Sequence, residues 1–122
     1  MTEFDLAELR VRMRRFVDVV MPHEQILRRW DDAALQSIEQ MKREAKTHGL
    51  WALGHPREIV GGGLPLADFA YRNEITGRTY GAPIAVGSLS MQDAIVLHRF
   101  GTEQQQRRWL APYPGRSTAT TR

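Results

Sequence analysis

The sequence predicts an all-α fold, a helical bundle of about five helices within one domain. Apolar residues recur at spacings of three and four along several segments, which is typical of helices that turn one face towards a core. A chain of 122 residues suits one domain with a modest core of roughly four to six helices. A strand at Ile84 and Val86 is not favoured, because no run of similar character is present to pair with it.

The first helix is predicted to begin near Thr2, whose hydroxyl suits an N-cap, and to end at Pro22, whose ring cannot continue the helical hydrogen bonds. Its spacing predicts a face that packs on the core. The apolar stripe comprises Leu6, Leu9, Met13, Phe16, Val17 and Val20.

A second helix is predicted to begin at Asp31 or Asp32 and to end at Gly49. Aspartate is a favoured N-cap, and glycine adopts the left-handed conformation that ends many helices. The predicted core-facing stripe comprises Leu35, Ile38, Met41 and Ala45.

Residues 53–65 form a long loop that contains three adjacent glycines at positions 61–63. Phosphate-binding loops carry patterns such as GxxxxGK[ST] or GxGxxG between a strand and a helix, and neither is present. We therefore favour a tight backbone turn over a ligand contact, since glycine's conformational freedom explains the composition. A third helix is predicted from about Pro65 to Ile75, with Gly77 at its end.

The stretch from residue 87 to residue 112 contains two helical patterns joined at Gly101, which is expected to end the first in a left-handed conformation. Thr102 and Gln105 then form the pattern of a capping box, and Pro112 is expected to end the second helix. The apolar or small residues of the first pattern are Met91, Ala94, Ile95 and Leu97.

Composition narrows the class of protein. Hydrophobic residues make up 42% and charged residues 25%, as in ordinary soluble globular chains, and no segment approaches the ~18 apolar residues of a membrane helix. There is no cysteine, which excludes disulfides and thiolate chemistry. The net charge of +3 comes from arginines that punctuate amphipathic helices, so we interpret them as solvated faces and expect no nucleic-acid partner. A cytoplasmic location is expected.

The residues themselves offer no convincing catalytic or metal site. Ser90, Asp93 and His98 are the nearest approach to a nucleophilic set, but three groups on one helix lack the converging geometry of a triad. His23 has no second histidine or carboxylate at metal-site spacing. We therefore predict neither catalytic residues nor a metal, and interpret His98 as facing a groove or as a satisfied interior histidine.

Three segments together resemble the N-terminal helical domain of the acyl-CoA dehydrogenases, over roughly residues 10–112. The most specific is LHRFGTEQQQRRWLAP, which is similar to the end of that domain, where the chain leads towards a flavin-binding β-domain. HGLWALGHPREIVGGGLPLADFAYRNEITGR resembles a loop between the family's helices, and RRFVDVVMPHE is more weakly similar to its start.

The resemblance implies a flavoprotein oxidoreductase of fatty acid metabolism. The full enzyme would use FAD, abstract the α-proton of an acyl-CoA with a glutamate of its C-terminal domain, and pass the β-hydride to the flavin. It also implies a homo-oligomeric enzyme and an acyl pocket lined in part by the helix at residues 91–98. The wall residues carried over are Met91, Ala94, Ile95 and His98, with simple core packing remaining open for Ile95.

After Pro112 the sequence departs from the family, because it reads YPGRSTATTR where a β-domain segment is expected. We therefore divide the chain into a helical domain at 1–112 and a disordered or aberrant tail at 113–122. A truncated or frame-shifted gene, a fragment and a genuinely stand-alone domain all remain open. Without the other domains the chain is expected to be inactive and unable to hold FAD by itself. The alternative is a helical interaction module that pairs with a separate flavoprotein subunit.

Overall fold

The computed structural model describes residues 5–59 and 61–111, which form helices, turns and loops without a strand. The all-α prediction is confirmed. The α-helices in chain order are α1 Leu6–Val20, α2 Glu24–Leu27, α3 Asp32–Thr47, α4 Leu66–Thr76, α5 Ala82–Ala85, α6 Met91–Phe100 and α7 Glu103–Gln105. Three short 3₁₀ turns cover Met21–His23, Arg57–Ile59 and Ser88–Ser90, and a π-type turn covers Gln106–Leu110.

Helix α1 begins later than predicted. Asp5, not Thr2, is its N-cap, and the Asp5 carboxylate accepts a 3.0 Å hydrogen bond from the amide of Glu8. Thr2 lies outside the described residues. The predicted stripe is confirmed, with four positions buried and Leu6 and Val17 partly buried against the core.

Pro22 ends α1 without ending the helical path. The chain continues through the 3₁₀ turn Met21–His23, where Pro22 stands in the first turn and no intrahelical donor is needed, and then enters α2. The Glu24 carboxylate of α2 accepts a 3.1 Å hydrogen bond from the amide of Gly81, just before α5. This bond ties together two elements that are far apart in the sequence.

Helix α3 begins and ends as predicted, with Asp31 as N-cap to the amide of Ala34 and Gly49 at φ +68° after the last turn. The predicted burial of Leu35 is wrong, since that side chain is 56% exposed. Ala34 is buried instead, because the stripe of positions 34, 38, 41 and 45 keeps the 4-3-4 spacing of a single helical face.

The core lies where α1 packs on α4 and α5, and where α3 packs on α2 and α5. A buried arginine links two of these helices. Arg72 of α4 donates from Nε to the carbonyl of Leu6 at 3.4 Å and from Nη1 to the carbonyl of Asp68 at 3.2 Å. Its charge is therefore buried with hydrogen-bond partners on both helices, as a buried charge requires.

The turn from α6 to α7 confirms one prediction and corrects another. Thr102 Oγ1 accepts from the amide of Gln105, and Gln105 Oε1 accepts from the amide of Thr102, so the capping box is present. Gly101 has φ −72°, not a left-handed conformation. Steric crowding explains why glycine occupies this position, because a Cβ here would lie 2.5 Å from the carbonyl oxygen of Leu97.

Gly77 ends α4 as predicted, with a φ of −66°. Helix α4 itself begins at Leu66, with Pro65 at the N-cap rather than in the first turn. The predicted stop at Pro112, the boundary between residues 112 and 113 and the predicted disorder of the tail lie outside the described residues.

Candidate functional site

The glycine-rich loop folds back on the segment that precedes it. The amides of residues 61–63 donate, in order, to the carbonyl oxygens of Pro56, Ala52 and His55 at 3.0, 2.9 and 3.0 Å. A phosphate-binding loop needs backbone amides that point at the ligand. All three amides are already used within the protein, so this loop does not offer such a cradle.

Close approach of backbone accounts for the glycines. A Cβ on Gly61 would collide with the carbonyl of His55, and one on Gly62 would lie 2.9 Å from the Cα of Leu53. Gly63 has φ +71°, and a Cβ there would lie 2.5 Å from Cγ of Arg57. These contacts favour the predicted turn over a ligand contact, since each glycine has a steric reason within the fold.

A cleft of about 420 Å³ separates this loop from α6. We call it the loop–α6 cleft. Apolar side chains from both sides line it, and its charged lining residues are Arg57, Glu58 and Arg99. The apolar lining residues are Pro56, Leu64, Leu66, Met91 and Ile95. Its volume lies within the range of small-molecule sites, roughly 300–1,000 Å³.

The four predicted wall residues do not share one cavity. Met91 and Ile95, one helical turn apart, line the loop–α6 cleft. His98 lines a second cleft of about 410 Å³, together with Glu58 and the π-type turn. Ala94 is fully buried and packs with Ile59 and Leu110 in a small apolar cluster. The structure therefore brings only Met91 and Ile95 together.

The model of the family described as acyl-CoA dehydrogenase, N-terminal domain, matches residues 4–114. The chain belongs to this family. The resemblance stated from the sequence is thereby confirmed, over a slightly longer stretch than the motifs indicated.

Curated relatives of the chain are acyl-CoA dehydrogenases. Acyl-CoA dehydrogenase family member 10 of Mus musculus is 35% identical over 98 residues, which cover 74% of this chain and 9% of that protein. Family member 11 of Mus musculus is 38% identical over 77 residues, or 62% of this chain and 10% of that protein. Probable acyl-CoA dehydrogenase FadE2 of Mycobacterium tuberculosis is 38% identical over 85 residues, which cover 67% of this chain and 20% of that protein.

The matched segment thus spans only about a tenth to a fifth of the length of these curated relatives. No solved structure matches the chain significantly. Assignment of this acyl-CoA dehydrogenase N-terminal domain therefore rests on the sequence comparisons, and the geometry of its clefts comes from the structure of the chain itself.

His55 is one of the residues lining the loop–α6 cleft to which the sequence analysis assigned no role. Its side chain is only 1% exposed, and burial lowers its pKa because the charged imidazolium is poorly solvated there. Nε2 of His55 lies 3.5 Å from Oγ of Ser90, whose hydroxyl donates to the carbonyl of Gly87 at 2.9 Å. The two residues are far apart in the sequence, so no local pattern could have paired them.

The contact between His55 and Ser90 does not make a nucleophilic site. The Ser90 hydroxyl donates its hydrogen bond to the carbonyl oxygen of Gly87, so the imidazole is not placed to accept that hydrogen as a base. Of the Ser90, Asp93 and His98 set, His98 lines the other cleft.

No group of three or more histidine, aspartate or glutamate side chains able to hold a metal is found among residues 5–59 and 61–111. Within the same part of the chain, no helix is long and apolar enough to cross a membrane. FAD carries a pyrophosphate, and the glycine-rich loop, for which the sequence favoured a turn over a ligand contact, has the amides of residues 61–63 engaged within the protein. The described residues therefore do not fit FAD at that loop.

Proposed function

We propose that this chain is the N-terminal helical domain of an acyl-CoA dehydrogenase-like flavoprotein oxidoreductase and that it contributes one wall of the acyl pocket. The observation that carries the proposal is the position of Met91 and Ile95, which face the loop of residues 54–64 across an apolar cleft within the family-matched region. An acyl chain there would be desolvated by side chains from both sides, which is the main source of affinity for an apolar ligand.

Within this proposal, Met91 and Ile95 hold the acyl chain, and Ala94 supports them from inside. Ala94 has no exposed surface, so its contribution is to let α6 approach Ile59 and Leu110 closely. His98 belongs to the neighbouring cleft, and we assign it an indirect role. The proton and hydride steps of the dehydrogenation require groups outside the described residues.

Filling the cleft tests the acyl wall. An Ile95→Trp substitution places a large ring in the cleft, and we expect it to weaken binding of an octanoyl thioester at least about tenfold, because the apolar surface for the chain is occupied. Val96→Trp is the matched control, since Val96 is exposed on the same helix and does not line this cleft. Titration calorimetry measures both. Equal affinity of the wild type and Ile95→Trp would contradict the acyl-wall assignment.

We further propose that the chain alone is inactive and does not retain FAD, which parts outside this chain would hold. The engaged amides of residues 61–63 and the small share of each relative that the chain covers support this proposal. Acyl-CoA as substrate, a homo-oligomeric full enzyme and a cytoplasmic location belong to the same proposal. Flavin-dependent dehydrogenation of any acyl-CoA by the purified 122-residue chain would contradict it.

A helical interaction module is the second candidate function. It is favoured by an exposed apolar surface on α6 and the π-type turn, which we call the α6–turn patch. Its members are Val96, Leu97, Phe100 and Trp109. A separate flavoprotein subunit would cover this surface. Pull-down against a polypeptide that carries the remaining domains of a relative tests the module. We expect capture, and Phe100→Glu should abolish it. Failure of the wild-type chain to capture the partner would remove this candidate.

A further inference from the structure

The last part of the described chain folds back on α6 as a small unit of its own. Residues 102–111, which we call the arm, comprise Thr102, α7, the π-type turn and Ala111, and they pack mainly on α6. Leu110 is the one arm residue whose side chain is buried. It packs with Ile59 and Ala94 in a cluster that is separate from the main core. A segment with so little buried apolar surface belongs to the low-stability end of a fold.

The backbone changes direction at Gly101, between α6 and the arm. Gly101 has an extended conformation, with φ −72° and ψ 147°, so the helical path is interrupted there. The amide of Thr102 donates to Oε1 of Gln105 in the capping box, where a continuing helix would direct it to the carbonyl of His98. Among the described residues, no backbone amide of the arm donates to a carbonyl of α6. Gly101 is therefore placed as a backbone hinge.

A glutamine side chain bridges this hinge. Nε2 of Gln106 donates to the carbonyl oxygens of His98 at 3.0 Å and Leu97 at 3.1 Å, and to that of Gly101 at the longer distance of 3.4 Å. His98 and Leu97 lie in the last turn of α6, where carbonyls lack the amides of a following helical turn. The amide group of Gln106 thus fastens the arm to the end of α6.

The arm contributes to two different surfaces. Gln106 and Leu110 line the second cleft, which His98 lines from α6. Trp109, between them in sequence, lines both grooves of the α6–turn patch. Movement of the arm away from α6 would therefore open the second cleft, uncover Ala94 and take apart the patch in one step.

We propose that the arm is a hinged gate, which opens as a unit about Gly101 while the main core stays folded, and that Gln106 is its latch. The closed arm covers Ala94 and forms a wall of the cleft that contains His98. The open arm exposes both residues and leaves the α6–turn patch without Trp109.

Thiol labelling of the full 122-residue chain tests the gate, because the sequence contains no cysteine of its own. Ala94→Cys places a single thiol beneath the arm. Ala45→Cys is the matched control in the main core, since both alanines are fully buried on helices. We expect dithionitrobenzoate to label Ala94→Cys at least about tenfold faster, because that thiol needs only local opening and the other needs global unfolding. Equal labelling, corrected for any difference in urea midpoint, would overturn the gate.

The latch is tested by adding a second substitution to each cysteine variant. Gln106→Glu keeps the side-chain length and removes the donating amide, and Gln106→Met removes it without adding charge. We expect each to speed labelling of Ala94→Cys about tenfold, because the hydrogen bonds to α6 are lost, and to leave Ala45→Cys unchanged. Gln104→Glu, at an exposed position of the arm, is the matched control and should change neither rate.

Three results would refute the latch. If Ala94→Cys is labelled quickly but neither Gln106 variant speeds its labelling, the gate stands without this latch. If Gln104→Glu acts like Gln106→Glu while Gln106→Met has no effect, added charge and not the lost hydrogen bonds causes the change. If the Gln106 variants speed labelling of Ala45→Cys as much as that of Ala94→Cys, Gln106 stabilises the whole fold and not a local gate.

Discussion

His55 is buried between the glycine-rich loop and the turn that precedes α6. Its carbonyl accepts from the amide of Gly63, and its imidazole lies beside Ser90. Nothing in the local sequence indicates this burial, because the contacts that cause it come from positions 8 and 35 residues further along the chain. The burial of such a residue can be recognised only from the tertiary structure. Once the burial is known, the direction of its pKa shift follows.

Stability should fall when His55 is forced to protonate. Burial holds its pKa below the usual 6.5, so the unfolded chain takes up a proton before the folded chain does. The contribution of neutral His55 to the free energy of unfolding should therefore be complete above about pH 6.5. It should decrease as the pH falls from there towards the lowered pKa of His55 in the folded chain. Urea unfolding between pH 7.5 and 5.5 measures this slope. His55→Gln should flatten it, and an unchanged slope in that variant would contradict the assignment to His55.

Gly61 of the loop differs in its steric surroundings from Gly77, which ends α4. Gly61→Ala places a methyl group against the carbonyl of His55, and we expect a loss of about 1–3 kcal/mol in the free energy of unfolding because backbone must shift. Gly77→Ala is the comparison expected to lose less, since that residue has a negative φ and a Cβ there would make a tight contact of 3.3 Å with the carbonyl oxygen of Asn73 and not a collision. Urea midpoints at unchanged m-value separate the two. Equal losses would contradict the steric explanation of the loop.

At the scale of elements, the sequence predicted which segments are helical far better than which face of each helix is buried or where each helix ends. The 3.6-residue period identified α1, α3, α4 and α6, because that period reflects the burial of one face. It could not say that Leu35 lies outside, since Ala34 fits the same spacing and the choice depends on which neighbour packs there. It likewise gave no sign that α2 resumes after Pro22.

The candidate site shows the same limit. The family resemblance supplied Met91, Ala94, Ile95 and His98 as wall residues, and periodicity predicted the helix that contains them, which is confirmed. These side chains lie in three environments: the loop–α6 cleft, the buried apolar cluster and the second cleft. The loop on one side of the helix and the π-type turn on the other determine which side chain lies in which. Neither element was predictable in position, because the loop owes its path to backbone contacts between residues 52–56 and 61–64.

The capping box of α7 consists of local hydrogen bonds, so its loss should change stability and hydrogen exchange mainly at the start of this helix. Thr102→Ala removes the acceptor for the amide of Gln105, and we expect a cost of about 1 kcal/mol together with faster hydrogen exchange of that amide. Thr47→Ala is the matched control, because Thr47 Oγ1 only donates to the carbonyl of Arg43 within α3 and caps no helix start. Unchanged exchange at Gln105 in Thr102→Ala would show that the short helix is held by packing alone.

At the scale of the whole molecule, the apolar surface is unevenly distributed. The α6–turn patch includes Phe100 at 80%, Trp109 at 54% and Val96 at 50% exposure, and two grooves run between these side chains. Monomeric soluble proteins seldom leave adjoining large apolar side chains in water. The patch lies at the end of the described chain, on the same helix that lines the proposed acyl wall.

The isolated chain should therefore self-associate through the α6–turn patch, because a second copy offers the most accessible apolar cover in solution. Light scattering during size-exclusion chromatography over a concentration series measures the average mass. We expect the mass to rise with concentration for the wild type and to stay at the monomer value of 14.0 kDa for Phe100→Glu, since a charge in the patch resists burial. Leu35→Glu is the control, because it alters an exposed leucine of α3 outside the patch, and it should associate like the wild type. If Phe100→Glu and the wild type associate equally, the self-association interface lies outside the α6–turn patch. If Phe100→Glu is monomeric and also fails to capture the polypeptide that carries the remaining domains of a relative, the same surface serves both contacts.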